Sequence, residues 1–235
     1  MNNRIRFTLP LSILAVLALL SMAAGFPVPG RDAPVGDEAQ VSIERQADGT
    51  SVTHITPRLG GAFTFGVPAG WYPLAFPVTP EEAEAINAVF AANSVPLSIG
   101  EEQLSSQGDL GLQLAIFSLD SRHYQNEGRT VILGAIMDVP AFVPDWAVLP
   151  IEMLSQVDGV ERVAISQIDE QYVASLEYAF DNPERAETLY GSAIMFVRGG
   201  QLIALFGATT RPEAAPALND AIGYIRTTLD FTPTP

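Results

Sequence analysis

The sequence contains no cysteine, no lysine and only two histidines among its 235 residues. Without cysteine there can be no disulfide framework, no thiolate metal site, no cysteine nucleophile and no lipid attached through an N-terminal cysteine. A catalytic zinc site needs three nitrogen or oxygen ligands, and nothing in the spacing of His54 and His123 brings these residues together. We therefore predict no metal site and no cofactor.

Positive charge is also scarce. All twelve basic residues are arginines. They are outnumbered by 27 aspartates and glutamates, which gives a formal net charge of −15 at pH 7. A chain this acidic repels polyphosphate and anionic lipid surfaces, so we do not expect a nucleic-acid partner. The carboxylates are dispersed along the chain rather than gathered in a tail, and solubility is the simplest interpretation of the charge.

The first 24 residues have the pattern of a secretory signal peptide. Two arginines precede a mostly apolar run over residues 9–24, which ends in small residues. The run is interrupted by Pro10 and is shorter than the roughly 20 apolar residues that a membrane-spanning helix needs. Cleavage is therefore favoured over a retained anchor, which would be the chain's one link to a membrane. We predict an extracytoplasmic protein, either secreted, periplasmic or on the cell surface.

A linker and a single domain are predicted to follow. Residues 25–40 are rich in proline and glycine and read as a flexible linker, and residues 41–231 are enough for one α+β domain. Asp48-Gly49 predicts a hairpin turn between two short strands. Phe63, Phe65 and Val67 then alternate as in a strand that is buried on one face.

Further elements follow from capping and periodicity. Proline and glycine at positions 68, 70 and 73 are expected to end the strand. Thr79 is a helix cap, because proline and two glutamates follow it. Residues 112–119 and 130–137 read as strands, joined by a hydrophilic stretch, and residues 145–156 as a second helix.

The C-terminal third predicts the core of the fold. Four strand-like runs, at residues 160–168, 172–180, 190–197 and 201–206, are separated by short turns, which favour antiparallel neighbours. The last two runs are apolar without alternation, and such strands are covered on both faces. Residues 218–229 carry an apolar stripe at helical spacing and would supply one cover. We predict a central antiparallel sheet flanked by helices on both faces, an α/β/α sandwich.

Two stretches resemble a known family. Residues 62–71, with the sequence AFTFGVPAGW, resemble the strand and Pro-x-Gly-Trp turn that open PsbP-like and DcrB-like envelope domains. Residues 191–207, followed by the C-terminal helix and Leu229-Asp230-Phe231, are similar to the way those domains close. The resemblance implies a central antiparallel sheet between helical layers. It also implies an accessory role, often without catalysis, and offers no family-wide catalytic residue.

One constellation has catalytic chemistry. The chain has no phosphate-binding glycine loop, no Gly-x-Ser-x-Gly elbow and no His-Glu-x-x-His. Asp120 and His123 lie in the hydrophilic stretch after the first of the two middle strands, where an aspartate could orient an imidazole that activates a remote serine. The alternative is a solvated loop. A secreted hydrolase is therefore the second functional hypothesis.

Our first functional hypothesis is a non-catalytic, extracytoplasmic accessory or binding module for an unidentified protein or small ligand of the cell envelope. Trp71 and Tyr72 are its candidate binding residues, because aromatic rings offer large contact areas with a polar edge. Packing in the core is the alternative for both. A pocket that gathers Trp71, Tyr72, His123 or Trp146 would indicate a ligand binder.

Overall fold

The computed structural model describes residues 5–6, 39–58, 61–99, 112–138, 158–182 and 187–231. Its strands are β1 Ile5–Arg6, β2 Gln40–Arg45, β3 Ser51–Thr56, β4 Phe63–Val67, β5 Trp71–Ala75, β6 Leu97–Ser98, β7 Leu112–Ser118, β8 Thr130–Asp138, β9 Val160–Ile168, β10 Gln171–Asn182, β11 Glu187–Arg198 and β12 Gln201–Thr209. Its helices are α1 Pro80–Ala92 and α2 Ala215–Thr227, with 3₁₀ turns at Ser121–Glu127 and Pro212–Ala214. The predicted helix over residues 145–156, and nearly all of the predicted signal peptide and linker, lie outside the described residues. Neither helix within the described ranges is long and apolar enough to cross a membrane.

Seven antiparallel strands form the central sheet, in the order β5-β7-β8-β12-β11-β10-β9. The last four strands of the chain form a meander, as predicted, and β12 then pairs with β8, with Leu205 opposite Gly134. All nine residues of β12 are buried. The unbroken apolar runs in β11 and β12 therefore predicted correctly that both faces of these strands are covered.

A separate three-stranded antiparallel sheet is formed by β2, β3 and β4. The predicted hairpin is confirmed, with Gly49 at a φ of +84° and the Thr50 amide donating to Asp48 Oδ1 at 3.0 Å. This sheet is also tied to the C-terminal end of the chain. Thr64 and Asp230 exchange two backbone hydrogen bonds of 2.9 Å, and the Gly66 amide donates to the Thr228 hydroxyl at 2.9 Å.

The edge strand β5 was not predicted from the sequence. The β4 strand ends at Val67 as expected, but after a turn at Gly70, whose φ is +83°, the chain resumes as a strand at Trp71. Pro73 argued against a strand because it has no amide to donate. It is accommodated because β5 pairs with only one described strand, β7, at the edge of the central sheet.

Helix α1 packs on one face of the central sheet and begins as predicted. Thr79 accepts a hydrogen bond from the Glu82 amide, and the Glu82 carboxylate accepts one from the Thr79 amide. The helix directs Ile86 and Phe90 towards the sheet, and the Phe90 ring meets that of Phe117 on β7 edge-on, with centroids 5.4 Å apart. The residues that this helix buries, Ala83, Ile86 and Phe90, lie at helical spacing on one face.

The other face is covered jointly by α2 and the three-stranded sheet. The predicted stripe of α2 is confirmed, because Leu218, Ala221, Ile222 and Ile225 are all buried in one cluster with Phe63 and other residues of the three-stranded sheet. The sequence predicted a cover of helices for both faces of the central sheet. On this face the cover is only partly helical, because the three-stranded sheet forms the rest of it. Continuous apolar runs show that a strand is covered, but not by what, and the alternating apolar face of a sheet serves as well as a helix.

Candidate functional site

The structure brings Asp120 and His123 together at the end of β7. Asp120 caps the 3₁₀ turn by accepting a hydrogen bond from the Arg122 amide at 3.0 Å. Its carboxylate also receives the Arg122 guanidinium, with Nη2 2.5 Å from Oδ2. Hydrogen bonding from Arg122 is the main reason that the pKa of Asp120 is lowered to about 2. The carboxylate is thus held chiefly by an arginine rather than by the histidine.

His123 contacts a neighbouring serine and not a remote one. Its Nδ1 lies 2.8 Å from Ser118 Oγ, and its Nε2 lies 3.8 Å from Asp120 Oδ2. Hydroxyl, imidazole and carboxylate follow one another, but the two ring nitrogens are exchanged relative to a serine hydrolase, in which Nε2 takes the proton of the hydroxyl and Nδ1 donates to the carboxylate. The 3.8 Å separation from Asp120 is also too long for a hydrogen bond. Ser118 is only 1% exposed, and its hydroxyl also accepts a hydrogen bond from the Asp120 amide at 3.2 Å. A substrate has no access to a hydroxyl that is buried in this way.

The surrounding contacts give this cluster a structural role. The Tyr124 hydroxyl lies 2.9 Å from the carbonyl oxygen of Ser118 and 3.0 Å from that of Thr130, so it joins the end of β7 to the start of β8. Burial raises the pKa of Tyr124, which stays a neutral donor. The polar residues of this loop therefore close the connection between two strands.

Replacing His123 by glutamine should reduce the loss of stability on mild acidification. Burial is the main cause that lowers the pKa of His123, and it outweighs the opposing effects of Asp120 and Glu213, while Arg122 lowers the pKa further. The unfolded chain, with a histidine pKa near 6.5, then binds more protons than the native protein just below that pH. The free energy of unfolding therefore falls as the pH drops from about 7 to about 5.

The measurement is urea denaturation of wild type and His123→Gln across this pH range. His54→Gln removes the chain's other histidine from an exposed strand position and serves as the control. We expect a shallower slope for His123→Gln alone. Equal slopes for all three proteins would contradict the burial of the His123 ring.

The two aromatic residues proposed for binding do not share a surface. Trp71 is 8% exposed and packs in the cluster beneath α2 and the three-stranded sheet. Tyr72 packs against the opposite cluster, because adjacent strand residues point to opposite faces. The guanidinium of Arg45 lies over the Tyr72 ring, 4.4 Å from its centroid. Trp71 and Tyr72 therefore lie on opposite faces of the central sheet, and Trp146 lies outside the described residues.

A cavity that the sequence did not predict lies between α2 and strands β9, β10 and β11, and we call it the helix–sheet cavity. Its volume is about 220 Å³. The strands form its floor and α2 forms one wall. Its lining residues are Arg162, Ala164, Ser175, Leu176, Glu177, Ser192, Ala193, Ile194, Asn219, Ile222, Gly223 and Arg226.

Strand register places a polar row across the floor of this cavity. Arg162 on β9 is opposite Glu177 on β10, which in turn is opposite Ser192 on β11. Arg162 Nη1 lies 3.7 Å from Glu177 Oε1, and the two side chains are 73% and 45% exposed. An exposed ion pair of this kind is weak because water screens it. Ser192 is 5% exposed, and its hydroxyl has no hydrogen-bond partner among the described residues.

The α2 wall contributes both charge and space. Arg226 is half-buried, and its side chain forms no ion pair with any of the residues that the structure describes. Gly223, one turn before it, leaves a gap, because a Cβ built there would meet no atom within 4 Å. The cavity thus combines a cationic group, free volume and a hydroxyl that no described residue binds.

The sequence offered only a faint indication of this site. Arg162, Glu177 and Ser192 are polar residues within strand-like runs, but they lie far apart in the chain, and only the register of three strands aligns them.

No group of three or more histidine, aspartate or glutamate side chains within the described ranges is placed to hold a metal ion.

No protein-family model matches the chain. No curated protein matches it in sequence. Solved structures similar to it include the solution structure of cyanobacterial PsbP (CyanoP) from Synechocystis sp. PCC 6803, at 12% identity and a TM-score of 0.39, covering 86% of this chain and 98% of that one. They also include the crystal structure of LpqN, described as involved in cell envelope biogenesis of Mycobacterium tuberculosis, at 11% identity and a TM-score of 0.41, covering 84% and 93%. A PsbP is therefore among the structures that the chain resembles, as the sequence indicated.

Proposed function

We propose that this protein is a non-catalytic, extracytoplasmic binding module whose ligand occupies the helix–sheet cavity. The observation that carries the proposal is the cavity itself, a space of about 220 Å³ between α2 and the central sheet that is lined by charged, polar and apolar side chains. Ligand sites are concave and combine apolar surface with convergent polar groups, and this cavity offers both. The extracytoplasmic location rests on the signal-peptide pattern of residues 1–24.

The hydrolase hypothesis receives less support. Its histidine contacts Ser118, whose burial keeps a substrate from the hydroxyl, and its aspartate is engaged by Arg122. A nucleophile must reach the reacting carbon of its substrate. We therefore favour binding over catalysis as the function of this domain.

Filling the cavity should abolish ligand binding without unfolding the protein. In Gly223→Leu, the new side chain starts from a position where a Cβ meets no atom within 4 Å, so it can extend into the cavity. The probes are a set of neutral and charged fragments the size of benzene, added to the full chain and followed by amide NMR shifts. We expect the largest shifts at amides lining the cavity, and we expect Gly223→Leu to remove them.

Asp220→Leu is the matched control, because it places the same side chain on the same helix at an exposed position outside the cavity. It should leave the shifts unchanged. If no fragment moves the amides of the cavity, or if Gly223→Leu still binds as wild type does, the helix–sheet cavity is not a ligand site.

A further inference from the structure

We propose that the helix–sheet cavity selects small monocarboxylates, and that Arg226 is the residue that binds the carboxylate. This inference rests on the proposed function and adds the chemical class of the ligand. Three features of the cavity carry it, namely its charge, the guanidinium of Arg226, which has no acidic partner among the described residues, and the apolar part of its lining.

The charge of the cavity is opposite to that of the chain. The whole sequence carries a formal net charge of −15, whereas the charged residues lining the cavity are two arginines and one glutamate. An anion is repelled by the rest of the surface and attracted here. An excess of one positive charge matches a monoanion. A dianion such as a phosphate monoester would remain uncompensated within this acidic protein.

Arg226 is the arginine that is available for a ligand. The Arg162 guanidinium already lies 3.7 Å from the Glu177 carboxylate, and its side chain is largely exposed. Arg226 is half-buried and has no acidic partner among the described residues. A guanidinium donates two parallel hydrogen bonds to a carboxylate, and partial burial strengthens such a pair. Arg226 also lies in the last turn of α2, where the helix dipole stabilises a cation. Its test must therefore separate a loss of ligand binding from a loss of helix stability.

The rest of the lining suits a short apolar body. Ala164, Ile194 and Ile222 contribute apolar surface, and Ser192 offers a hydroxyl with no partner among the described residues. The volume of about 220 Å³ exceeds the ~150 Å³ of an engineered cavity that accepts benzene. A benzene ring that carries one carboxylate therefore fits the space.

The test is a titration of the full chain at low ionic strength with three probes of one shape, followed by amide NMR shifts. Benzoate is the monoanion, benzamide its neutral isostere and phenyl phosphate the dianion. We expect benzoate to bind at the cavity about tenfold more tightly than either of the others, since a hydrogen bond to a charged group contributes about that factor.

Variants assign the roles of the charged residues. Arg226→Gln should weaken benzoate binding about tenfold and leave benzamide binding unchanged, a result that a loss of helix stability alone would not give. Arg226→Lys should recover part of the affinity, because it keeps the positive charge but not the two parallel hydrogen-bond donors of the guanidinium. Glu177→Gln should strengthen benzoate binding about twofold to threefold, because it removes a competing carboxylate.

The outcomes separate the inference from the proposed function. If benzamide binds in the cavity as tightly as benzoate, or if Arg226→Gln weakens both equally, the cavity remains a ligand site but the carboxylate inference fails. Tighter binding of phenyl phosphate would also overturn it, in favour of a phosphate ligand. If none of these probes and no other fragment binds there, the proposed function fails as well.

Discussion

Replacing Phe63 by alanine should lower the free energy of unfolding by about 3–5 kcal/mol, the usual cost of removing a fully buried phenylalanine. Phe63 is 0% exposed. Its ring meets that of Phe196 on β11 edge-on at 5.1 Å and lies 6.2 Å from that of Phe231, just beyond α2. The substitution therefore leaves a cavity where the three-stranded sheet, the central sheet and the C-terminal segment meet. For a domain with a total stability of about 5–15 kcal/mol, this is a large fraction.

Urea denaturation measures the effect, with Ile165→Ala as the control. Ile165 is also a large apolar residue in a strand, but it is 52% exposed. Its replacement should cost less than about 0.5–1 kcal/mol, because little apolar surface returns to water. Similar losses for the two variants would show that the aromatic cluster does not hold the two sheets together.

Replacing Gly191 by alanine should destabilise the protein by about 3 kcal/mol, at the upper end of the cost of overpacking. A Cβ at this position would lie 2.1 Å from the carbonyl oxygen of Gly207 and 2.5 Å from the Tyr178 ring. Neither neighbour can move easily, since one is backbone of the adjacent strand. The other is a buried ring whose hydroxyl donates to that same carbonyl oxygen at 2.8 Å.

Replacing Gly223 by alanine should instead raise the free energy of unfolding. A Cβ there meets no atom within 4 Å, and alanine is favoured over glycine in a helix by up to about 1 kcal/mol. Thermal denaturation of Gly191→Ala and Gly223→Ala should therefore move the melting temperature in opposite directions. A Gly191→Ala protein as stable as wild type would mean that Tyr178 does not cross β11 at this point.

Local signals in the sequence were sufficient for most individual elements. The capping box at Thr79, the turn at Gly49 and the apolar stripe of α2 each depend on neighbours in the chain, and each is found as predicted. The strand at Trp71 was missed because Pro73 disfavours strands in general, while its tolerance at an edge depends on the order of strands in the sheet. The second sheet was not predicted as a cover for the same reason.

The candidate site depended almost wholly on tertiary structure. Asp120 and His123 are three residues apart, and the structure does bring them together. What decides their chemistry is the burial of Ser118, which is not visible in a local pattern. The helix–sheet cavity could not be predicted from the sequence, because it depends on the register of β9, β10 and β11 and on the position of α2 above them.

The links between the three-stranded sheet and the C-terminal segment bear on the order in which the fold can be completed. A ribosome makes residues 51–67 long before it makes residues 228–231. Until then, Thr64 has no Asp230 to pair with, the Gly66 amide has no Thr228 hydroxyl, and the Phe63 ring has no Phe231 beside it. The three-stranded sheet is thus held in place by residues that are made more than 150 positions later, so these contacts cannot form until residues 228–231 have left the ribosome.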